Sequence, residues 1–424
     1  MVESYFAFLD ERERHGQALR LSFDVIDSPA ETVRSKLDST EGSSLDDLVP
    51  GTFFVELQAH YPAIARLCPN RGRLLAESQW FELEIDRAPS PSDCNGSEFR
   101  PTGRVGASQH RGGESACHTQ RPLAVRQVRR AGGSAGQMLE RLVNLDSFPD
   151  ASESELADAL KPVGPAEHVA CYRVGQGNCC AAIREGFPVM YFDFGGGCCA
   201  NESTYPAGMR FCFTQSPPIV LSHWDKDHWI SGLRFDDAQK ATWIVPRQKL
   251  GPSHLDFANK VRQRGKLLVW GNTAPSMLTT ALGQFARGTG KGRNHSGIAC
   301  LATLDLQSRG SVEMPHVLLP GDAAYRHVPG AFKQGLQYVV ASHHGGNQRG
   351  DVAPVATGEG IALYSFGSGN TCGHPHPLAL ARHKAAGWKR RDTTGGHVLL
   401  GGAPIVLHVS CNGRPCDLKP AVVV

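Results

Sequence analysis

Residues 218–228 run Pro218-Ile219-Val220-Leu221-Ser222 and then, without a break, His223-Trp224-Asp225-Lys226-Asp227-His228. An apolar run of this kind reads as a buried strand. A buried strand that ends in imidazoles and carboxylates is costly unless those groups find partners, and divalent metal ions suit that mixture of donors. Three more strand-like runs end in ligand-type residues: Val317-Leu318-Leu319-Pro320-Gly321-Asp322, Tyr338-Val339-Val340-Ala341-Ser342-His343-His344 and Val189-Met190-Tyr191-Phe192-Asp193. Ligands in a turn and at a helix start converge on one point beyond the strand. Four such ends are enough to hold two divalent ions about 3.5–4 Å apart, the spacing that clamps a scissile ester between two metals.

The rest of the 424-residue chain divides by composition. Residues 1–86 mix short apolar runs with charged residues and predict a small N-terminal α/β unit. Residues 87–165 begin rich in Pro, Ser, Gly and Arg and predict a linker, with a short helix near Ala135–Leu145. The arginines there (Arg100, Arg104, Arg111, Arg121, Arg126, Arg129, Arg130) fit a solvated tether better than a polyanion site. From 166 to 412 strand-like runs recur, among them Val169–Val174, Cys179–Ile183, Ile219–Ser222, Thr242–Val245, Leu267–Trp270, Ala299–Leu306, Ala362–Phe366, Val398–Leu400 and Ile405–Val409. Helical segments are expected at Trp229–Gln239, His254–Arg264, Met277–Phe285 and Leu378–Ala386. Many short strands with helices between them predict an α/β fold of two sheets with helices outside. Residues 413–424 read as a tail.

The net charge of +3 is too small to predict a nucleic-acid partner by itself. The 13 cysteines show no CxxC spacing and several sit in apolar runs, as reduced thiols of a cytosolic protein do. The N-terminus has no apolar core, and no run of about 18 apolar residues exists, so no signal peptide and no membrane span are expected. These features predict a soluble, cytoplasmic protein.

At this point the motifs meet a family. In order they are Val174-Gly175-Gln176-Gly177-Asn178, Phe192-Asp193-Phe194-Gly195-Gly196, the 222–232 segment SHWDKDHWISG, Asn294-His295-Ser296, Pro320-Gly321-Asp322, Ser342-His343-His344-Gly345-Gly346 and Asn370-Thr371-Cys372-Gly373-His374-Pro375. Together, over roughly residues 166–412, they resemble the metallo-β-lactamase superfamily, and most of all the nuclease-type domain of the ComEC/Rec2 DNA-uptake proteins. Each motif alone is weak; all of them in the family's order are a strong signal. The resemblance implies an αββα sandwich with a dinuclear site at one edge. It puts His223 and Asp225 on a first-metal side, Asp227, His228 and His343 on a second, and Asp322 between them. A bridging hydroxide would be the nucleophile. Asp193, Asn294 and Asn370 would support the ligands, while His374 or His344 would meet substrate or transfer a proton.

Two departures stand out. The family's HxHxDH signature has Asp225 at its second His, a harder ligand that tilts the site from Zn²⁺ toward Mn²⁺ or Mg²⁺. The family's third-motif His has no clear counterpart, His295 being a possible substitute and His254 a poor one. The first-metal site is therefore expected to be weak, or filled only with substrate. The leading expectation is a hydrolase of phosphodiesters, DNA or RNA included. One alternative is a carboxylic ester, lactone or thioester hydrolase. Another is a degenerate metal-binding module, of a bacterial defence system for instance, whose N-terminal region meets a protein partner.

Overall fold

The computed structural model describes residues 2–15, 17–39, 51–68, 75–86, 102–108, 121–306, 314–401, 410–411, 414–415 and 421–423. Arg100, Arg111 and the expected strand at 405–409 lie outside this set. The chain forms two compact units, one of residues 1–147 with 249–256, the other of residues 148–248 with 257–424.

The first unit is a closed antiparallel barrel. Its strands are β1 (Val2–His15), β2 (Ala18–Pro29), β3 (Thr52–His60), β4 (Gln79–Asp86), β5 (Thr102–Ser108) and β6 (Arg121–Arg130), in the spatial order β1-β2-β3-β5-β6-β4. Three helices accompany them: α1 (Ala30–Ser39), α2 (Tyr61–Leu67) and α3 (Gly133–Leu142). Alternate residues fill the core, as the two-residue strand period requires: Leu19, Leu21, Phe23 and Val25 from β2, and Phe53, Val55, Leu57 and Ala59 from β3.

Strands β5 and β6 correct the linker expected over 87–165. Val125 and Val128 of β6 face the barrel core. The arginines between and beyond them pair with the neighbouring strand, Arg126 Nη2 with Asp86 Oδ2 at 3.2 Å and Arg129 Nη2 with Glu84 Oε1 at 2.5 Å. A strand with one arginine-rich face has the composition of a tether while its other face is core.

The second unit holds two sheets. Its helix α4 (Glu153–Leu160) opens on a capping box, in which Glu155 N donates to Ser152 Oγ and Ser152 N donates to Glu155 Oε2. The first sheet contains β7 (His168–Cys171), β8 (Cys180–Arg184), β9 (Phe187–Phe192), β10 (Ile219–Val220), β11 (Thr242–Pro246) and β12 (Lys266–Trp270). The second is built of β13 (Met277–Thr279), β14 (Gly283–Arg287), β15 (Ile298–Thr303), β16 (His316–Leu319), β17 (Leu336–Val340), β18 (Ala356–Tyr364) and β19 (Lys389–Asp392), in chain order. After it come β20 (His397–Leu400), the small pair β21 (Ser410–Cys411) and β22 (Arg414–Pro415), and β23 (Ala421–Val423). Both β20 and β23 join the first sheet, whose order is β12-β11-β10-β9-β8-β7-β20-β23. The expected tail therefore contributes a strand, β23 lying parallel to β20.

One apolar core takes alternate residues from both sheets: Val220, Ile244 and Leu268 from the first, Cys300, Val317, Val340 and Leu363 from the second. The intervening residues of the second sheet, such as Leu301, Leu318, Val339 and Ala362, pack on its other face with Trp388 and Phe332. Helices α5 (Ser231–Arg234), α6 (Asp236–Lys240) and α8 (Pro377–Ala385), with α7 (Pro252–Arg264) from Phe257 onward, complete the mixed α/β architecture. The helix expected at Met277–Phe285 is instead the β13–β14 hairpin, turned at Gly283 with φ +147°. Its two threonines, Thr279 and Thr280, favour strand over helix, and glycine adopts that φ readily. No helix among the described residues is long and apolar enough to cross a membrane. Cys171, Cys179, Cys180 and Cys300 are buried free thiols as expected, whereas Cys212 is disulfide-bonded.

Candidate metal centre

The strand ends deliver their side chains to one place. Beyond β10 the chain passes Ser222 and enters a single 3-10 turn at Lys226–His228, so that His223 and His228 come within 4.1 Å, ring centre to ring centre. The turn is pressed against the loop after β9. A Cβ on Gly195 would stand 1.7 Å from Asp227 O and 2.6 Å from His228 Cα, so only glycine fits there. From the second sheet, Asp322 follows β16 across Gly321 (φ +58°), and His343 and His344 follow β17. Both histidines are left-handed, at φ 52° and 55°. That conformation is uncommon for residues other than glycine. The two loops are laced together: Ser342 Oγ donates to Ala323 O (2.7 Å) and Gln348 Nε2 to Asp322 O (2.6 Å).

Asp322 stands at the middle with one oxygen toward each half of the cluster. Its Oδ1 is 3.1 Å from His228 Nε2 and 3.7 Å from His344 Nε2. Its Oδ2 is 3.6 Å from both His223 Nε2 and His343 Nε2. Asp227 closes the first group, 3.7 Å from His228 Nε2 through Oδ1 and 3.1 Å from His344 Nε2 through Oδ2. Asp225 closes the second, its Oδ2 3.1 Å from His223 Nε2. Donors bound to one ion at about 2.0–2.1 Å in a tetrahedron stand roughly 3.3–3.4 Å apart. The contacts of 3.1–3.7 Å bracket that figure, and two sets of donors, His223 with His228 and Asp322 and Asp227 with His228 and His344, stand close enough to hold metal ions.

The imidazole orientations provide a separate test. His228 Nδ1 lies 2.8 Å from Asp193 Oδ2, His344 Nδ1 lies 2.8 Å from Ser365 O, and His223 Nδ1 lies 2.9 Å from Ser222 Oγ. With the Nδ1 proton given to the Asp193 carboxylate and the Ser365 carbonyl, the Nε2 lone pairs of His228 and His344 face the cluster. Metal-ligating histidines are oriented in this way. Asp193, itself left-handed at φ 59°, also accepts from Ser222 N (2.6 Å), Ser222 Oγ (2.9 Å) and Asn178 Nδ2 (2.8 Å).

The electrostatics demand positive charge. Burial pushes the Asp322 carboxyl up, but the four histidines around it hold it well below the usual carboxylate range. Burial opposes ionisation of Asp225 as well, and His223 and Arg293 outweigh it. For Asp227 the same burial is outweighed by His228 and His344. Burial pushes His228 down, and Asp322, Asp193 and Asp227 drive it well above the normal imidazole range. A negative field that strong is met by protons or by bound cations.

Three expected positions differ. His344, not His343, joins Asp227 and His228, while His343 stands on the His223 side. Arg293, not its half-buried neighbour Asn294, reaches the cluster, with Nη1 2.9 Å from Asp225 Oδ1. Asn370 supports the loop of His374, accepting from His374 N at 3.0 Å and donating to His374 O at 2.7 Å. His374 is buried, its ring 5.2 Å from that of His343, and Gln176 Nε2 lies 3.2 Å from its Nδ1. His295 packs on His327 at 4.7 Å, and the donor groups close enough to share an ion do not include it. Burial and the charges of His327, Arg326 and His343 push it down to about 4. The roles of Ser365 and Arg293 carry no sequence signal, because the loops that supply them are irregular, and the 174–178 motif marks Gln176 without assigning it a partner.

These features define a mixed α/β protein with a buried histidine–aspartate cluster whose donors can hold metal ions. No family model matches the chain, and no curated protein or solved structure matches it either.

Proposed function

We propose that the chain is a metal-dependent hydrolase with the metallo-β-lactamase type of αββα sandwich, acting on phosphodiesters such as DNA or RNA. The observation that carries this reading is the shared carboxylate of Asp322, with two imidazoles and one further carboxylate on either side. His228, His344 and Asp227 would hold one divalent ion with Asp322 Oδ1. His223, His343 and Asp225 would hold the other with Oδ2. Imidazole with carboxylate suits Zn²⁺ or Mn²⁺. Such a pair of ions supplies an activated water near neutral pH and polarises the scissile ester.

The protein's own groups do the rest. Asp193 and Ser365 keep two imidazoles in the tautomer that presents Nε2 to the cluster. With Gln176 Nε2 donating to His374 Nδ1, the neutral His374 ring carries its proton on Nε2, where it would donate a hydrogen bond to the charge developing on a substrate oxygen. Charge favours an anionic substrate. Asp193, Asp225, Asp227 and Asp322 would be balanced by two divalent ions, leaving the positive charge of Arg293 beside the reacting centre.

The test is elemental analysis of the purified protein after dialysis against Mn²⁺ or Zn²⁺, followed by assays on DNA, RNA, bis(p-nitrophenyl) phosphate, a lactone and a thioester. Bound metal, one tightly held ion per chain and a second held weakly, and phosphodiester turnover, abolished in Asp227→Ala and Asp322→Ala with the far-UV spectrum retained, are expected. Unchanged turnover in those variants refutes the mechanism. Turnover of only the lactone or thioester transfers the site to carboxylic esters.

A further inference from the structure

The two halves of the cluster have the same donor types but differ in what lies behind them. Behind His228 stands a carboxylate, Asp193. Behind Asp225 stands a cation, Arg293, buried like Asp225 itself. Arg293 Nη1 takes one carboxylate oxygen of Asp225 at 2.9 Å, while the other faces His223 Nε2 at 3.1 Å. The arginine is fixed from its backbone: Gln248 Nε2 donates to Arg293 O (2.7 Å) and to Ser296 Oγ (3.0 Å), and Gln248 Oε1 accepts from Trp224 N (3.2 Å). A single glutamine amide thus ties the segment carrying Arg293 to the segment carrying Asp225.

We propose that Arg293 is a positioning residue that makes the His223/Asp225/His343 half a weak cation site, completed only when an anionic substrate arrives. The inference rests on the metal-site reading above and goes beyond it by assigning a cause. A guanidinium on the second oxygen of Asp225 draws electron density from the donor. It also places a like charge a few ångströms from the incoming dication, where repulsion in a partly buried site is large. A phosphodiester monoanion placed between the ions cancels that repulsion and can accept from the guanidinium. The Asp227/His228/His344 half has Asp193 behind it and fills without help.

The experiment is a Mn²⁺ titration of the full-length protein, followed by calorimetry and by electron paramagnetic resonance of free Mn²⁺. It is run with and without dimethyl phosphate, a monoanion that binds Mn²⁺ poorly in solution. Wild type is expected to show one tight and one weak step, the weak step tightening at least tenfold with dimethyl phosphate. His223→Ala should lose only the weak step. Arg293→Gln should tighten the weak step at least tenfold without the anion and leave the tight step unchanged, whereas Arg293→Lys should behave as wild type. Two equal tight steps in wild type, or a weak step that neither dimethyl phosphate nor Arg293→Gln tightens, overturns the proposal. The dimethyl phosphate arm needs no variant, so it decides the matter even if Arg293→Gln fails to fold. Absence of any Mn²⁺ binding, or of Zn²⁺ binding, overturns the metal reading itself and is distinguishable from these outcomes.

Discussion

His343 and His344 are adjacent in sequence but serve opposite halves of the cluster: His344 Nε2 is 3.1 Å from Asp227 Oδ2, and His343 Nε2 is 3.6 Å from Asp322 Oδ2. Two successive left-handed residues turn the chain sharply enough to aim neighbouring side chains at different oxygens. His344 is buried and anchored at Nδ1 by Ser365 O, while the His343 side chain keeps 19% of its surface. The two histidines should therefore separate in a metal titration. His344→Ala is expected to remove the tight ion, and His343→Ala to retain it and loosen the second by about 10–100-fold, the scale of losing a metal-site contact. Equal losses in both variants would contradict the division.

Asp193 belongs to neither donor group but orients His228, whose Nδ1 lies 2.8 Å from Asp193 Oδ2. Asp193→Asn replaces one carboxylate oxygen with an NH₂ group that must face donors, since Ser222 N, Ser222 Oγ, Asn178 Nδ2 and His228 Nδ1 already point at it. Metal affinity should fall by about 10–100-fold. Denaturant unfolding should show a loss of about 2–3 kcal/mol, the cost of an unsatisfied buried polar group. An unchanged dissociation constant would mean that His228 is held by something other than Asp193.

Gly195→Ala tests the packing behind the Asp227 turn. The new Cβ would meet Asp227 O at 1.7 Å and Asp227 C at 2.4 Å, backbone atoms that cannot swing aside. Metal content should drop although no ligand is changed. Gly330→Ala is the control, since a Cβ there meets nothing within 4 Å. Full metal content in Gly195→Ala, measured beside that control, would show that the turn has slack.

Away from the cluster, His397 is expected to confer acid sensitivity. Burial, and then the nearby Arg173, lower its pKa from 6.5 to about 4, and its Nδ1 accepts from Arg173 N at 2.9 Å. The unfolded chain takes up the proton first as pH falls. The stability contributed by neutral His397 is therefore complete above pH 6.5 and is lost progressively between 6.5 and about 4. The full effect is about 3 kcal/mol at about 1.4 kcal/mol per pKa unit. His397→Asn keeps an acceptor for Arg173 N and cannot be protonated. Its urea midpoint should fall less than that of wild type between pH 7 and 4.5, and parallel curves would assign the sensitivity elsewhere.

Much of the cluster's composition was legible because donor-type residues at strand ends are local in sequence. His223, Asp225, Asp227, His228, Asp322, His343 and Asp193 all stand in or beside the cluster. What stayed hidden depends on backbone angle or on irregular loops. Nothing in Ser342-His343-His344-Gly345 announces two left-handed residues, so the exchange of His343 and His344 was not readable. Arg293 approaches from a loop with no period, and Asn294 beside it is the more conspicuous residue. The barrel strand Arg121–Arg130 was obscured because its outer face is charged to match Glu84 and Asp86, a pairing that lies 40 or more residues away in sequence.

Neither sheet of the second unit carries a complete donor set. His223, Asp225, Asp227 and His228 follow β10 of the first sheet; Asp322, His343 and His344 follow β16 and β17 of the second. The backbone of the two is tied at the same point, where Ile298 N donates to Ser222 O at 2.7 Å. The cluster can therefore assemble only after the two sheets have docked. A cation captured there would act as a late clasp, fastening the two finished sheets and slowing their separation without guiding either to form.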